Sequence, residues 1–146
     1  MDLFEIKDGE LLLSTNKGLL NMDLIHSYLT QSYWSLGISK ELVSKAVQNS
    51  LAVGLFKSGK QIGFCRLITD YSTFAYLADV FISEEEKGKS YGQFLMINIR
   101  KHPMLQSLRR WLLATKDAHL LYKKSGWQLL EKPEYFMEIV QEDPYK

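Results

Sequence analysis

Between residues 51 and 82 the chain spells three strand-like runs in succession, LAVGLFK, QIGFCRLIT and TFAYLADVFI, separated by nothing longer than a turn. Runs joined so tightly can only return alongside one another, so this stretch commits the molecule to an antiparallel meander. Ser58-Gly59-Lys60 is a hairpin signal, and Asp70 to Ser72 makes the second joint. The third run is apolar almost throughout and broken only by Asp79, the pattern of a central strand covered on both faces.

The flanking elements follow from local signals. ELLLSTN (10–16) reads as a first strand. Asp23 is placed to cap a helix through LIHSYLTQSYW, with Leu24, Tyr28 and Leu29 at helical spacing, and Ser39 to cap KELVSKAVQNS, with Leu42, Val43 and Ala46 on one face. After the meander, YGQFLMINIRKH (91–102) has apolar residues on more than one helical face and stops at Pro103. RRWLLAT (109–115) is a further strand, and Asp117 can cap AHLLYKKSG, which Gly126 ends. WQLLE and YFMEIV, on either side of Lys132-Pro133-Glu134, read as a closing antiparallel pair. The order predicts an α+β fold with a mixed sheet, and with no repeat or linker the whole of 1–146 reads as one domain.

Composition excludes several classes of function. The formal charge of +1 supplies no field to draw a polyanion, so nucleic acid is not expected as a partner. Cys65 is the only cysteine and no Cys/His cluster has metal-ligand spacing, so neither a disulfide nor a metal site is expected. The amino terminus does not read as a signal peptide, and no run approaches the roughly 18 apolar residues of a membrane span. A cytoplasmic protein without membrane attachment is the expectation.

The stretch EEEKGKSYGQFLM (84–96) sets a lysine- and glycine-rich turn between a strand and a helix. Such a turn exposes backbone N–H groups at a helix start, and those groups bind anions. DVFISEEEKGKSYGQFLM resembles the signature of the GNAT superfamily of N-acetyltransferases, a strand followed by Gln/Arg-x-x-Gly-x-Gly/Ala opening a helix. TKDAHLLYKKSGW is similar to that family's second mark, a helix ending in Leu-Tyr-x-x-x-Gly-Phe/Trp. Two positions depart from the pattern: Lys87 stands where Gln or Arg is usual, and Ser90 where the first glycine is usual. A non-glycine residue held at positive φ costs roughly 1–2 kcal/mol.

The resemblance implies a central mixed sheet of six to seven strands flanked by about four helices. It also implies acetyl-coenzyme A as cofactor, with its pyrophosphate on the turn of Lys87, Gly88, Lys89, Ser90, Tyr91 and Gly92. The acyl arm is implied to lie along Val80, Phe81 and Ile82, and near Asp117, Ala118 and Leu121. A backbone N–H near Val80 or Phe81 is implied to polarise the thioester carbonyl, and Tyr122 to protonate or hydrogen-bond the leaving sulfur. Asp79, a carboxylate inside an apolar run, is a candidate base, with an alternative as an acid hydrogen-bonded at a strand bend. The acceptor side is implied to use Tyr33, Trp34, Arg66 and Tyr76, together with Ser32, Asp70 and Tyr71.

The implied activity is transfer of acetyl to a primary amine of a small molecule or peptide. The alternative is a non-catalytic acyl-coenzyme A binding or regulatory module of the same fold. Either a monomer or a homodimer fits. Glu84 to Glu86 read as a solvated face, His119 as structural or at the cofactor's edge, and Cys65 as a buried strand residue.

Overall fold

A computed structural model describes residues 3–146. Six strands form one sheet in chain order: β1 (Glu5–Asp8), β2 (Leu11–Ser14), β3 (Leu51–Lys57), β4 (Lys60–Thr69), β5 (Phe74–Ile82) and β6 (Arg110–Leu112). The first five pair antiparallel, and β5 with β6 is parallel. The hairpin and the meander stand where sequence places them. β1 goes beyond the sequence reading: EIKD is an edge strand with no buried residue, so no apolar alternation marks it.

Helices α1 (Met22–Leu29) and α2 (Lys40–Gln48) cover one face, and α3 (Tyr91–Ile99) and α4 (His119–Lys124) lie toward the other. Ile25 and Leu29 of α1, with Val43 and Val47 of α2, pack on Ala52, Phe64 and Phe81. Leu95, Met96 and Ile99 of α3 meet Leu51, Val53, Leu55, Cys65 and Leu67 on the opposite face. Fully burying such side chains contributes about 1.5–3 kcal/mol each, so the two apolar layers hold the sheet in place. Cys65 is fully buried, and that burial pushes its thiol pKa up, away from nucleophilic use.

Two caps differ from the expected ones. Asn21 caps α1 by accepting from the Leu24 N–H, while Asp23, already inside the first turn, pairs with Lys40. At α4, Ala118 holds the cap position, and Thr115 Oγ1 accepts the Ala118 N–H at 3.1 Å in place of any bond from Asp117. Ser39 caps α2 as expected.

The expected closing pair of strands is absent: WQLLE and YFMEIV run without a ladder partner among the described residues, and a single 3-10 turn, Pro133–Tyr135, reaches into the second of them. Strand-like composition needs a paired neighbour to become a strand, and among the described residues none forms a ladder with them.

β5 carries a bulge. Phe64 pairs with Phe81 and Arg66 with Ala78, so Asp79 and Val80 together oppose Cys65. Asp79 has a φ of 56°. The extra residue reverses which side chains face which layer: Ala75 and Leu77 face the α3 layer before it, Val80 and Ile82 after it, and Phe81 turns to the α1–α2 layer. A strand without a bulge would keep one parity throughout.

His102, 3% exposed, accepts the Met104 N–H at Nδ1, and its buried Nε2 has no partner among the described residues. Burial lowers its pKa from the ordinary imidazole value. The unfolded chain therefore takes up the proton first, so His102 contributes its full stability above about pH 6.5 and loses it as pH falls from there toward the folded pKa. Urea denaturation at pH 7.5 and 5.5 should show a loss of stability, of no more than about 1.4 kcal/mol per pH unit from this group, that is smaller in a His102→Asn variant.

Candidate active site

Pairing between β5 and β6 ends at Tyr76 and Leu112, after which the two strands part. β5 continues to Ile82, while the chain beyond β6 turns toward α4. A cleft of about 1200 Å³ fills the gap, walled by Leu77 to Ile82 on one side and Leu113 to Ala118 on the other. Residues of α1, α2 and their connecting loop also border it, as do residues of the loop before α3. Among the described residues, no group of three His, Cys, Asp or Glu side chains could hold a metal, and no helix is long and apolar enough to cross a membrane.

The loop before α3 is a 3-10 turn, Glu84–Glu86, followed by Lys87 to Ser90. Gly88 has a φ of 81° and open space around it, and Ser90 takes the left-handed conformation at φ 65° and ψ 17°. The loop thus keeps the glycine-type conformation at Ser90, and the hydroxyl makes no capping bond to offset the strain. The payoff in geometry is at the amides: the N–H groups of residues 88–93 have no partner among the described residues. Lys87, Gly88, Ser90, Tyr91 and Gly92 all border the cleft. Lys89 does not, and its ammonium lies 3.0 Å from Glu86.

Glu86 differs from the expected solvated acid. Its carboxylate, 14% exposed, takes both Lys89 and Lys57, and these partners hold its pKa below the usual carboxylate range. Glu84 and Glu85 are solvated as expected. The Lys87 ammonium bonds Glu84 at 2.6 Å and lies 5.9 Å from the Tyr28 ring centre. Its pKa is raised, chiefly by the Glu84 bond.

Asp79 borders the cleft with both carboxylate oxygens engaged: Trp34 Nε1 donates to Oδ1 at 2.9 Å and Arg66 Nε to Oδ2 at 2.6 Å. Tyr33 accepts the Lys116 N–H at its phenol oxygen, 3.0 Å away. These bonds lay the α1–α2 loop across the strands and bring Tyr33, Trp34, Arg66 and Tyr76 into one wall. Ser32 lies in that wall too, with its hydroxyl on the Leu29 carbonyl. Asp70 and Tyr71 lie outside the cleft. Asp70 accepts the Ser72, Thr73 and Phe74 N–H groups within its own turn, bonds that lower its pKa.

Val80, Phe81, Ile82, Asp117, Ala118, Leu121 and Tyr122 all face the same cleft. Burial pushes the Tyr122 phenol up to about 12, so it stays protonated across the physiological range. Its ring is braced by Trp127, centre to centre at 6.0 Å, and Trp127 by Trp111 at 6.4 Å. His119 is exposed at the start of α4 and does not border the cleft. Lining residues that sequence reasoning passed over include Tyr28, Gln93, Thr115, Lys116 and Tyr145. Tyr145 comes from the carboxyl terminus, where no local pattern marks it.

The profile of the acetyltransferase (GNAT) domain matches residues 48–129. A candidate acetyltransferase of the GNAT family from Xanthomonas campestris is similar in structure, with a TM-score of 0.89, 41% identity, and coverage of 95% of this chain and 99% of that one. A protein of Gibberella zeae provisionally named an acetyltransferase is 30% identical over 81% of this chain and 79% of its own length. A Staphylococcus aureus protein of similar fold has a TM-score of 0.70 at 21% identity, covering 90% of this chain and 98% of that one.

The strain at Ser90 is measurable. Ser90→Gly should raise stability by roughly 1 kcal/mol in urea denaturation, with no change in m-value, because glycine enters the left-handed region without steric cost. No gain would show that the loop relaxes out of that conformation in solution.

Proposed function

This chain belongs to the GNAT acetyltransferase family, and from that premise we propose that it transfers an acetyl group from acetyl-coenzyme A to a primary amine of a small molecule or peptide, by direct attack of the amine on the thioester. The observation that carries the reading is the run of partnerless amides at 88–93, set at one end of a cleft that has the Tyr122 phenol on its wall.

The residues present fit the cofactor. A pyrophosphate needs several converging N–H donors and close backbone approach, and the positive φ of Gly88 with open space beside it permits both. The α3 macrodipole adds positive potential at the same point. Lys87 contributes charge from the loop, as a mobile ammonium. When bound, acetyl-coenzyme A supplies the activated acetyl group as a thioester.

The chain's own groups then do the following. The Ser83 N–H donates to the Ile62 carbonyl, so Ser83 faces β4, and the period-two alternation of a strand turns the amides of Ile82 and Val80 toward the open gap. Val80 N–H is thus the donor suited to the acetyl carbonyl oxygen as charge gathers there, a role worth on the order of 2.7–4 kcal/mol for one preorganised donor. Tyr122 holds its proton and donates a hydrogen bond to the sulfur. Its pKa stands well above the roughly 8.5 of a free thiol, so complete proton transfer to the thiolate runs uphill and the hydrogen bond carries the effect. Asp79, with both oxygens already accepting bonds, positions Arg66 and Trp34 on the acceptor wall and is not assigned as the base.

Mixing the protein with acetyl-coenzyme A and a panel of amines, and measuring free thiol, tests the activity. Acceptor-dependent thiol release is the expected result, and tight cofactor binding without it across the panel would favour a binding module. Tyr122→Phe should lower kcat by about 10²–10⁴ with little change in KM for the cofactor. Full turnover in that variant at saturating substrate would remove the phenol from the chemistry.

A further inference from the structure

The acceptor wall of the cleft holds a cation whose bonding is incomplete. Arg66 lies opposite Ala78 on β4, two residues from Phe64 and so on the face turned to the α1–α2 layer. Its Nε donates to Asp79 Oδ2 at 2.6 Å, and no hydrogen bond among the described residues uses either terminal nitrogen of the guanidinium. The side chain is only 17% exposed, yet neither terminal nitrogen is sealed off: the buried side-chain atoms left without a partner are His102 Nε2 and Trp127 Nε1. The free end of the guanidinium therefore opens on the cleft that Arg66 lines.

The surroundings select the charge of a partner. Asp79 has both oxygens filled by Arg66 and Trp34, so a cationic ligand finds no open carboxylate there. Glu84 and Glu86, at the loop, are held by lysines. Lys116 borders the same cleft, 5.4 Å from the Tyr33 ring centre, and forms no ion pair among the described residues. Asp117, which follows it in the chain, is the cleft acid without an ion pair among those residues. Arginine stays charged at every working pH, and Asp79, itself fixed by Trp34, sets the plane of the guanidinium before a ligand arrives. Two parallel N–H groups in a fixed plane match a carboxylate, oxygen for donor. Ile68, 47% exposed on the same face, and Tyr76 opposite it give the site an apolar floor.

We infer that the acceptor amine carries a carboxylate close to its amino group, and that the terminal nitrogens of Arg66 hold this carboxylate as a fork. Closeness follows from the chain: Asp79 precedes Val80, whose N–H the proposed chemistry uses, and Arg66 is bonded directly to Asp79. The fork and the reacting centre thus lie within reach of one small molecule. The carboxylate is a handle and is unchanged by the transfer. The amine nitrogen gains the bond to the acetyl carbon, the carbon–sulfur bond breaks, and the proton lost from nitrogen ends on the thiol. The inference rests on the acetyl-transfer reading and narrows its acceptor from any primary amine to an amino acid.

Matched pairs test it. Glycine, β-alanine, phenylalanine and tyrosine are each compared with their carboxamides by thiol release, with rates expressed per neutral amine. Calorimetry with the N-acetylated acids and amides, in the presence of coenzyme A, reads binding without turnover. In at least one pair the acid should exceed its amide by about 10–100-fold in kcat/KM, and its N-acetyl product should bind tighter by a similar factor. In Arg66→Lys, whose single ammonium cannot serve Asp79 and a ligand as a fork does, and in Arg66→Gln, the acid-to-amide ratio should fall toward one. The ratio is taken within one protein, so any loss of folded material cancels. A ratio near one in every pair of the unaltered protein overturns the inference, and thiol release in that case leaves the transfer reading standing. Tighter binding of the acetylated acids with no thiol release from any amine has the opposite meaning: the fork stands and the transfer reading falls. A ratio that survives both substitutions overturns the inference. So does faster turnover of a linear aliphatic diamine than of any acid, which assigns the recognition to Asp117.

Discussion

The left-handed turn at Asp79 is the constraint on which the site depends. Adding one residue to β5 flips the strand's parity, so that apolar side chains on both sides of the bulge reach the α3 layer while Phe81 stacks on Tyr28 in the other. It follows the last pair of the β5–β6 ladder, Tyr76 with Leu112, and a bulge bends and over-twists the strand that carries it. Phe81 and Tyr28 stack with ring centres 4.1 Å apart, which pins the strand after the bend. The strain of a non-glycine residue at positive φ, of order 1–3 kcal/mol, is offset by what the carboxylate gains from Arg66 and Trp34.

That ion pair also orders the cleft. The side chains of Arg66 and Asp79 are 17% and 11% exposed, so their bond is screened far less than the surface pairs of Lys40 with Asp23 or Lys60 with Glu85. The α1–α2 loop, attached by Trp34 and Tyr33, becomes a wall of the gap between the parted strands. Local charges are neutralised around the loop at 84–90, where Glu84 and Glu86 hold Lys87 and Lys89, so that the positive potential there comes chiefly from backbone amides and the helix dipole.

Much of this was legible in the residues. The meander from 51 to 82 follows from turns too short to allow any other path, and α2 from Ser39 and its apolar spacing. The loop residues Gly88 and Gly92, and Tyr122 near the end of α4, were placed by two local patterns. The assignments that failed did so where a local signal needed a distant partner. Asp23 yielded the cap to Asn21, and Asp70 was consumed by its own turn. Glu86 was drawn inward by a lysine on β3, and the strand-like arm at 127–140 found no ladder partner among the described residues.

The sequence by itself determined the strand meander from 51 to 82, the helices before and after it, the mixed character of the sheet, and the lysine- and glycine-rich turn before α3. All of these arise from hydrophobic period, turn residues and backbone restrictions within a few positions of one another. Only the tertiary structure decided the parity switch in β5, the parting of β5 from β6, the engagement of Asp79 by side chains 13 and 45 positions away, and the arrival of Tyr145 at the cleft. Those outcomes depend on which surfaces meet once the layers pack, and no short window of residues contains both partners.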